Sequence, residues 1–271
     1  KEKMQVYGKP LPCSGVFDLK FSHQPIELKG KTYKEIYAVA HASGNVSIRH
    51  LHDTEPLVMI DSASDLNMCL SVDWNNRLVN DSIMLASSHH AGAFAIHTLH
   101  ETRGFVTQKS PVIHRAYGMD SEVWIVACDY HIPSNLLSGG EDATLRWWDV
   151  RCGLEKPVVV DARSHDAGVC TAQVHPSNEY IYATGSYDST IRLFDKRTLK
   201  RPLNSFDTQG GVWRLKWHPT DPHLLLAANM RDGYRILDTK DMSSAAHFVL
   251  KDGEHLGYGV DWSYIPKSTM V

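Results

Sequence analysis

Short runs in which apolar and polar residues alternate recur along the whole chain, and apolar stripes of helical period are nearly absent. Five segments align: VAHASGNVSIRHLH (39–52), ASSHHAGAFAIHTL (86–99), SGGEDATLRWWDVR (138–151), TGSYDSTIRLFDKR (184–197) and AANMRDGYRILDTK (227–240). Each opens on small residues, passes through a polar turn and continues with period two, as at Ile191 and Leu193. That period puts alternate side chains on one face of a half-buried strand. Asp142, Asp188 and Asp232, or Gly44 and Gly92, stand in the turns. Asp can hydrogen-bond nearby backbone, and Gly accepts φ > 0 at no steric cost. Each segment therefore predicts a β-hairpin.

A further strand precedes each hairpin: GVFDLKF (15–21), MCLSVDW (68–74), EVWIVAC (122–128), GVCTAQV (168–174), GVWRLKW (211–217) and finally LGYGVDW (256–262). Two of them run into His175-Pro176 and His218-Pro219, where Pro has no N–H for a ladder and closes the strand. From residue 122 onward the strands start at 122, 168, 211 and 256, a repeat of about 45 residues. The intervals from 15 to 68 and from 68 to 122 are longer, which predicts insertions. Regular short strands without helices leave a sandwich, a barrel or a propeller. The Trp148-Asp149 pair and the Ser-Gly-Gly and Thr-Gly-Ser strand starts resemble WD-repeats, with Phe194-Asp195 and Leu237-Asp238 standing in for the Trp-Asp pair. The expected fold is all-β: a single WD-repeat β-propeller domain over 1–271, with five full blades and a lone inner strand at 256–262. An open ring leaves sheet edges unpaired, so the expectation is seven blades in the intact protein, with strands missing at both ends here.

Composition narrows the partners. With 271 residues the chain can bury a sizeable core. A net charge of −3 provides no basic field for nucleic acid, and no apolar run approaches the roughly 20 residues that span a bilayer. Five cysteines at irregular spacing, without a CxxC pair, argue against a disulfide framework or a zinc site and for a reducing compartment. The expectation is a cytoplasmic monomer that takes no cofactor and no metal. The pair His89-His90 falls in a tight turn and reads as two solvated histidines.

No GxSxG, HExxH, P-loop or GxGxxG pattern is present, so candidate chemistry must come from position in the ring. Aligning the six inner strands puts Phe17, Leu70, Trp124, Cys170, Trp213 and Tyr258 at the third position. That predicts a largely aromatic ring near one mouth of the central channel. The sixth position holds Lys20, Asp73, Ala127, Gln173, Lys216 and Asp261, and the fourth adds Asp18, Ser71, Thr171 and Arg214. Positions four and six share a strand face, so charges line the channel, either as its solvated wall or as a ligand site. His165 and Asp188 are expected to hydrogen-bond across a blade, joined by Ser186 or Thr184, as a turn-holding network. The catalytic alternative makes His165 a general base. Cys170 is a thinkable nucleophile but reads better as a buried thiol. Glu122 and Asp166 flank the mouth and are placed to activate a water, and Arg214 to hold a carboxylate or an oxyanion.

Strings such as HDAGVC (165–170), QGGVWRLKWHP (209–219), LLLAANMRDGYRIL (224–237), SEVWIVACDY (121–130) and YGVDWS (258–263) resemble one branch of the WD-repeat proteins, the diphthine methyl esterases. The resemblance implies diphthamide synthesis on translation elongation factor two. There the enzyme would remove a carboxyl methyl ester from a histidine-derived side chain that also bears a trimethylammonium group. A quaternary ammonium is recognised by aromatic faces, which makes Trp124, Trp213, Tyr258 and Phe17 the candidate substrate-binding residues. The resemblance supplies no catalytic motif. A non-catalytic scaffold or adaptor that binds a protein partner is the other reading, because fold alone does not give function.

Overall fold

The alternation becomes five four-stranded antiparallel sheets in the computed structural model, which describes residues 13–61, 66–77, 83–198, 201–249 and 255–263. Blade one opens with β1 (Val16–Phe21); a small hairpin, β2 (Ile26–Leu28) with β3 (Lys31–Tyr33), follows; then come β4 (Ile36–His41), β5 (Val46–His50) and β6 (Val58–Ile60). Blade two is β7 (Cys69–Trp74), β8 (Met84–His89), β9 (Phe94–His100) and β10 (Gly104–Lys109). A second small hairpin, β11 (Arg115–Ala116) with β12 (Met119–Asp120), leads to blade three, made of β13 (Ile125–Cys128), β14 (Asn135–Gly139), β15 (Leu145–Asp149) and β16 (Val159–Asp161). Blade four is β17 (Val169–Val174), β18 (Ile181–Ser186), β19 (Thr190–Asp195) and β20 (Asn204–Asp207); blade five is β21 (Arg214–Trp217), β22 (Leu224–Ala228), β23 (Tyr234–Asp238) and β24 (Ser243–Phe248). The two small hairpins fall in the two long intervals, so part of the added length is spent on extra β-structure.

The hairpins between second and third strands share one backbone solution. Gly44, Gly92, Ala143, Ser189 and Gly233 occupy the same turn position, all with φ between 58 and 88°. The left-handed region costs nothing for glycine and about 1 kcal/mol or more for a residue with a Cβ, so blades three and four hold Ala143 and Ser189 there under strain.

The expected sixth inner strand is a correction. Residues 256–262 form no strand; their backbone pairing is one antiparallel bridge, Met230 with Gly257. Gly257 and Gly259 weaken a strand by their conformational freedom. The segment is still placed as an inner strand would be, because the Trp262 indole N–H donates to the Lys216 carbonyl at 2.9 Å. The same stitch joins other blades. Position seven of one inner strand reaches the carbonyl of position six in the blade before it: Trp74 to Lys20 (3.0 Å), Trp217 to Gln173 (3.4 Å) and, through a thiol, Cys128 to Asp73 (3.5 Å).

The core is a series of slabs between blades. One slab joins Ile26, Ile36 and Ile48 of blade one to Trp74 and Leu85 of blade two. Another packs Phe94 of blade two on Trp148 and Leu136 of blade three. Two more join blades three and four around Tyr182 and Phe194, and blades four and five around Val212 and Leu225. Trp74, Trp148, Tyr182 and Phe194 are completely or almost completely buried, and truncating one such ring costs on the order of 3–5 kcal/mol.

Candidate functional site

The inner strands deliver their charges to one place. Asp18 is buried, its carboxylate held by Lys20 at 3.0 Å, by the Val72 N–H at 3.3 Å and by Arg214, from blade five, at 3.7 Å. Burial pushes the carboxyl up, but Lys20 and Arg214 together outweigh burial and hold it down at about 2. Asp73 lies on the same wall and accepts from the Cys128 N–H at 2.8 Å. For Asp73 burial dominates the help from Lys20, and its carboxyl is raised to about 6. Lys216 pairs with Asp261 at 3.3 Å. Phe17, Asp18, Lys20, Trp213, Arg214, Lys216, Tyr258 and Asp261 share a cavity of about 340 Å³. Cations and carboxylates therefore alternate around a space that a zwitterionic group can enter.

The third positions leave the ladder. Register shifts fall between Val16 and Asp18, between Cys69 and Ser71 and between Val169 and Thr171, so Phe17, Leu70 and Cys170 are bulged out, a device that re-aims a side chain. Trp124 and Trp213 stand just ahead of β13 and β21. Their rings meet at 5.9 Å between centroids, and Trp213 meets Tyr258 edge-on at 5.2 Å. Tyr187, half-exposed in the turn of blade four, joins Trp124 at 6.5 Å. Three of the four aromatic residues expected to bind substrate thus form one contiguous cluster. Phe17 shares the cavity with Trp213 and Tyr258 and makes no ring contact with them among the described residues. Trp124 can lie where it does because residue 168 is glycine: a Cβ there would collide with the indole.

Glu122 ties the cluster to a histidine. One of its oxygens accepts from the Trp124 indole N–H at 2.7 Å, and the other lies 3.1 Å from Nε2 of His90. The two residues are held side by side because the Val123 N–H donates to the His89 carbonyl at 3.1 Å. The neighbouring His89 corrects the expectation of two solvated histidines. It is fully buried at the end of β8, where Ser87 joins its Nε2 and that of His97, each at 2.9 Å. Burial pushes His97 down to about 3. The turn begins one residue later than the sequence suggests, so only His90 reaches solvent.

The other candidates lie deeper or further out. His165 is 5% exposed. Its Nε2 hydrogen-bonds the Thr184 hydroxyl at 2.9 Å, its ring packs on Phe194, and burial pushes it down to about 4. The expected hydrogen bond to Asp188 is not formed. Asp188 accepts instead from the N–H groups of Asp166 and Thr190 and pairs with Arg192 at 2.9 Å; a guanidinium and two N–H donors satisfy the carboxylate without the imidazole. Ser186 turns to the Ala167 carbonyl. Asp166 is exposed. Cys170 is buried at the mouth, and burial pushes its thiol up to about 12, which keeps it protonated and weakly nucleophilic. Two residues escaped sequence reasoning. Tyr187 sits in a turn rather than on an inner strand. His114 forms the full blade network, with Asp142 at 2.8 Å and Ser138 at 2.9 Å, while Trp148 donates to Ser138 at 2.9 Å. Its signal is obscured by the β11–β12 hairpin inserted between it and its inner strand. Among the described residues no cluster of His, Cys, Asp or Glu is arranged to hold a metal ion, and no helix is long and apolar enough to cross a membrane.

Comparison with known proteins agrees with this architecture. The family model for the WD domain, G-beta repeat, matches residues 114–149 and 157–195, which span blades three and four. A chain in the crystal structure of the mitotic checkpoint complex superposes with a TM-score of 0.65 over 80% of this chain and 64% of its own, at 20% identity, a likeness of fold alone. Diphthine methyltransferase of Homo sapiens is 33% identical over 271 residues, spanning 93% of this chain. Diphthine methyltransferase of Schizosaccharomyces pombe is 30% identical over 264 residues, and the match spans 93% of this chain and 73% of that protein. The chain belongs to the diphthine methyltransferase family. It spans about half the length of the human and mouse members, 56% and 54%. Within this family member, the aromatic cluster, the alternating charges and the Glu122–His90 pair lie on inner-strand positions or beside them.

Proposed function

We propose that this chain acts in diphthamide biosynthesis as a carboxyl methyl ester hydrolase on methylated diphthine of translation elongation factor two. The observation that carries the reading is the contiguous cluster of Trp124, Trp213 and Tyr258 beside a cavity holding Arg214, Asp18 and Asp261. The substrate's trimethylammonium cannot donate a hydrogen bond and cannot lose its charge, so aromatic faces and a carboxylate suit it, each aromatic contact giving roughly 0.5–2 kcal/mol. Its ester carbonyl, and the carboxylate left after hydrolysis, suit Arg214. The names of the relatives supply the link to diphthine. Hydrolysis breaks the carbonyl–methoxy bond, adds water and releases methanol.

The test mixes the protein with elongation factor two carrying the methyl ester and follows the modified peptide by mass spectrometry. The expected result is loss of one methyl group as methanol. Trp213→Leu keeps apolar volume, so it is expected to raise KM for the trimethylated substrate more than for one lacking the N-methyl groups. Equal effects on both substrates would make the rings packing rather than a recognition surface. The second reading, a non-catalytic scaffold, draws on the burial of His165 and Cys170 within the blades. Tight binding of the modified factor with no mass change at high protein concentration would select it.

A further inference from the structure

The ester-hydrolase reading leaves open which group takes the proton from water. The geometry points to His90 as the general base, oriented by Glu122, an inference that rests on that reading. His90 is the histidine of the mouth that is both half-exposed and held by a carboxylate. Nε2 of His90 lies 3.1 Å from the Glu122 carboxylate, a placement that favours the proton on Nε2 and leaves the lone pair on Nδ1. Among the described residues nothing hydrogen-bonds that Nδ1. A carboxylate that fixes the tautomer and stabilises the imidazolium as it forms is the orienting part of a catalytic dyad.

The pair is also coupled to the substrate surface. Glu122 uses its second oxygen on the Trp124 indole at 2.7 Å, and the Trp124 ring meets that of Trp213 at 5.9 Å, tilted by 45°. The indole that would hold the cation and the imidazole that would act as the base therefore share one carboxylate. Structural histidines of this molecule look different: His89, His97, His114 and His165 are all buried.

The step balances without a co-reactant. His90 Nδ1 removes a proton from a water molecule as the water oxygen attacks the ester carbonyl carbon. The tetrahedral intermediate collapses, the carbonyl–methoxy bond breaks, and the imidazolium returns its proton to the departing methoxide as methanol. The new carboxyl group ionises to solvent.

The experiment compares the unaltered protein, His90→Ala, Glu122→Gln and His52→Ala on elongation factor two carrying the trimethylated methyl ester. Melting temperature checks folding, and added imidazole is titrated into each reaction. His52 is an exposed histidine that pairs with Glu35 at 3.2 Å and does not line the cavity, and it serves as the control. Expected for His90→Ala is a fall in kcat of about 100-fold or more with KM little changed, as for loss of a general base, and partial recovery with imidazole. Glu122→Gln has one acceptor oxygen for two donors; it is expected to lower kcat less than His90→Ala and to raise KM by loosening Trp124. His52→Ala is expected to match the unaltered protein. Full turnover by well-folded His90→Ala would overturn the dyad and leave the hydrolase reading standing. An unaltered protein that binds the substrate and never hydrolyses it would overturn both.

Discussion

Blades three and four each place a histidine beneath the hairpin that joins their second and third strands, and they use it differently. In blade three His114 bridges Asp142 and Ser138, and Trp148 completes the chain through Ser138. In blade four His165 keeps only the hydroxyl partner, Thr184. Phe194 replaces the indole and brings no donor, and Asp188 is occupied by Arg192 and two backbone N–H groups. The comparison teaches that the blade needs a satisfied hydroxyl and a filled slab, and that several side-chain sets meet the need. Burial is common to both: it pushes both imidazoles down, and at His114 it outweighs the opposing help from Asp142.

The largest expected difference is in stability. His114→Ala strips a partner from Asp142, whose side chain is 2% exposed, and from Ser138, so it is expected to cost about 3 kcal/mol. His165→Ala leaves only Thr184 short and is expected to cost about 1 kcal/mol, with activity retained where the variant is folded. Denaturant unfolding of both variants measures the gap; equal losses would mean that Asp142 adds nothing to blade three.

A pH series sharpens the same contrast. His165 is held at about 4 in the folded chain, against about 6.5 unfolded. Between those values the unfolded chain binds a proton that the folded chain does not. The contribution of the neutral ring is therefore complete above pH 6.5 and falls as the pH drops toward 4, by roughly 2 kcal/mol between pH 6.5 and 5. His165→Gln is expected to flatten stability against pH in that window, and an unchanged slope would place the titration elsewhere.

The smallest effect is expected at the strained turns. Ala143→Gly and Ser189→Gly relieve a left-handed residue at φ 58 and 66°, and each is expected to stabilise by at most about 1 kcal/mol, reduced by the extra freedom of glycine in the unfolded chain. The same change at an extended position would destabilise, and thermal unfolding separates the two.

The repeat made most of the fold legible, because a period of two with turn residues at fixed offsets states both the strand and its buried face. The third-position alignment likewise brought Trp124, Trp213 and Tyr258 together across three separate blades or segments. What was not legible depended on insertions and on competition for partners. His114 is separated from its inner strand by an extra hairpin, so it lies out of register with His165. Asp188 is one residue away from Ser189 and four from Arg192, and nothing in the sequence ranks the guanidinium above the imidazole as its partner. His89 and His90 are adjacent and chemically identical; only the end point of β8 decides that one is buried and the other faces solvent.

The indole and thiol stitches have a mechanical consequence. Position seven fastens blade two to one, three to two, five to four and the last segment to five. In blade four that position is Val174, which has no donor to offer. The joint between blades three and four is fastened elsewhere: Lys196 pairs with the buried Asp129 carboxylate, His131 donates from Nε2 to the His175 carbonyl at 2.9 Å, Val169 packs on Gly139 and Trp124 on Gly168, and the Val169 N–H donates to the Gly140 carbonyl. Hydrogen exchange along β13 and β17, set against that along β7 and β21, compares this fastening with the indole stitches of the other joints. Trp124 stands on one side of the joint and Trp213 beyond the other, so a joint that widens also spreads the aromatic mouth. This seam is closed by an ion pair and an imidazole, where the others use an indole or a thiol at position seven.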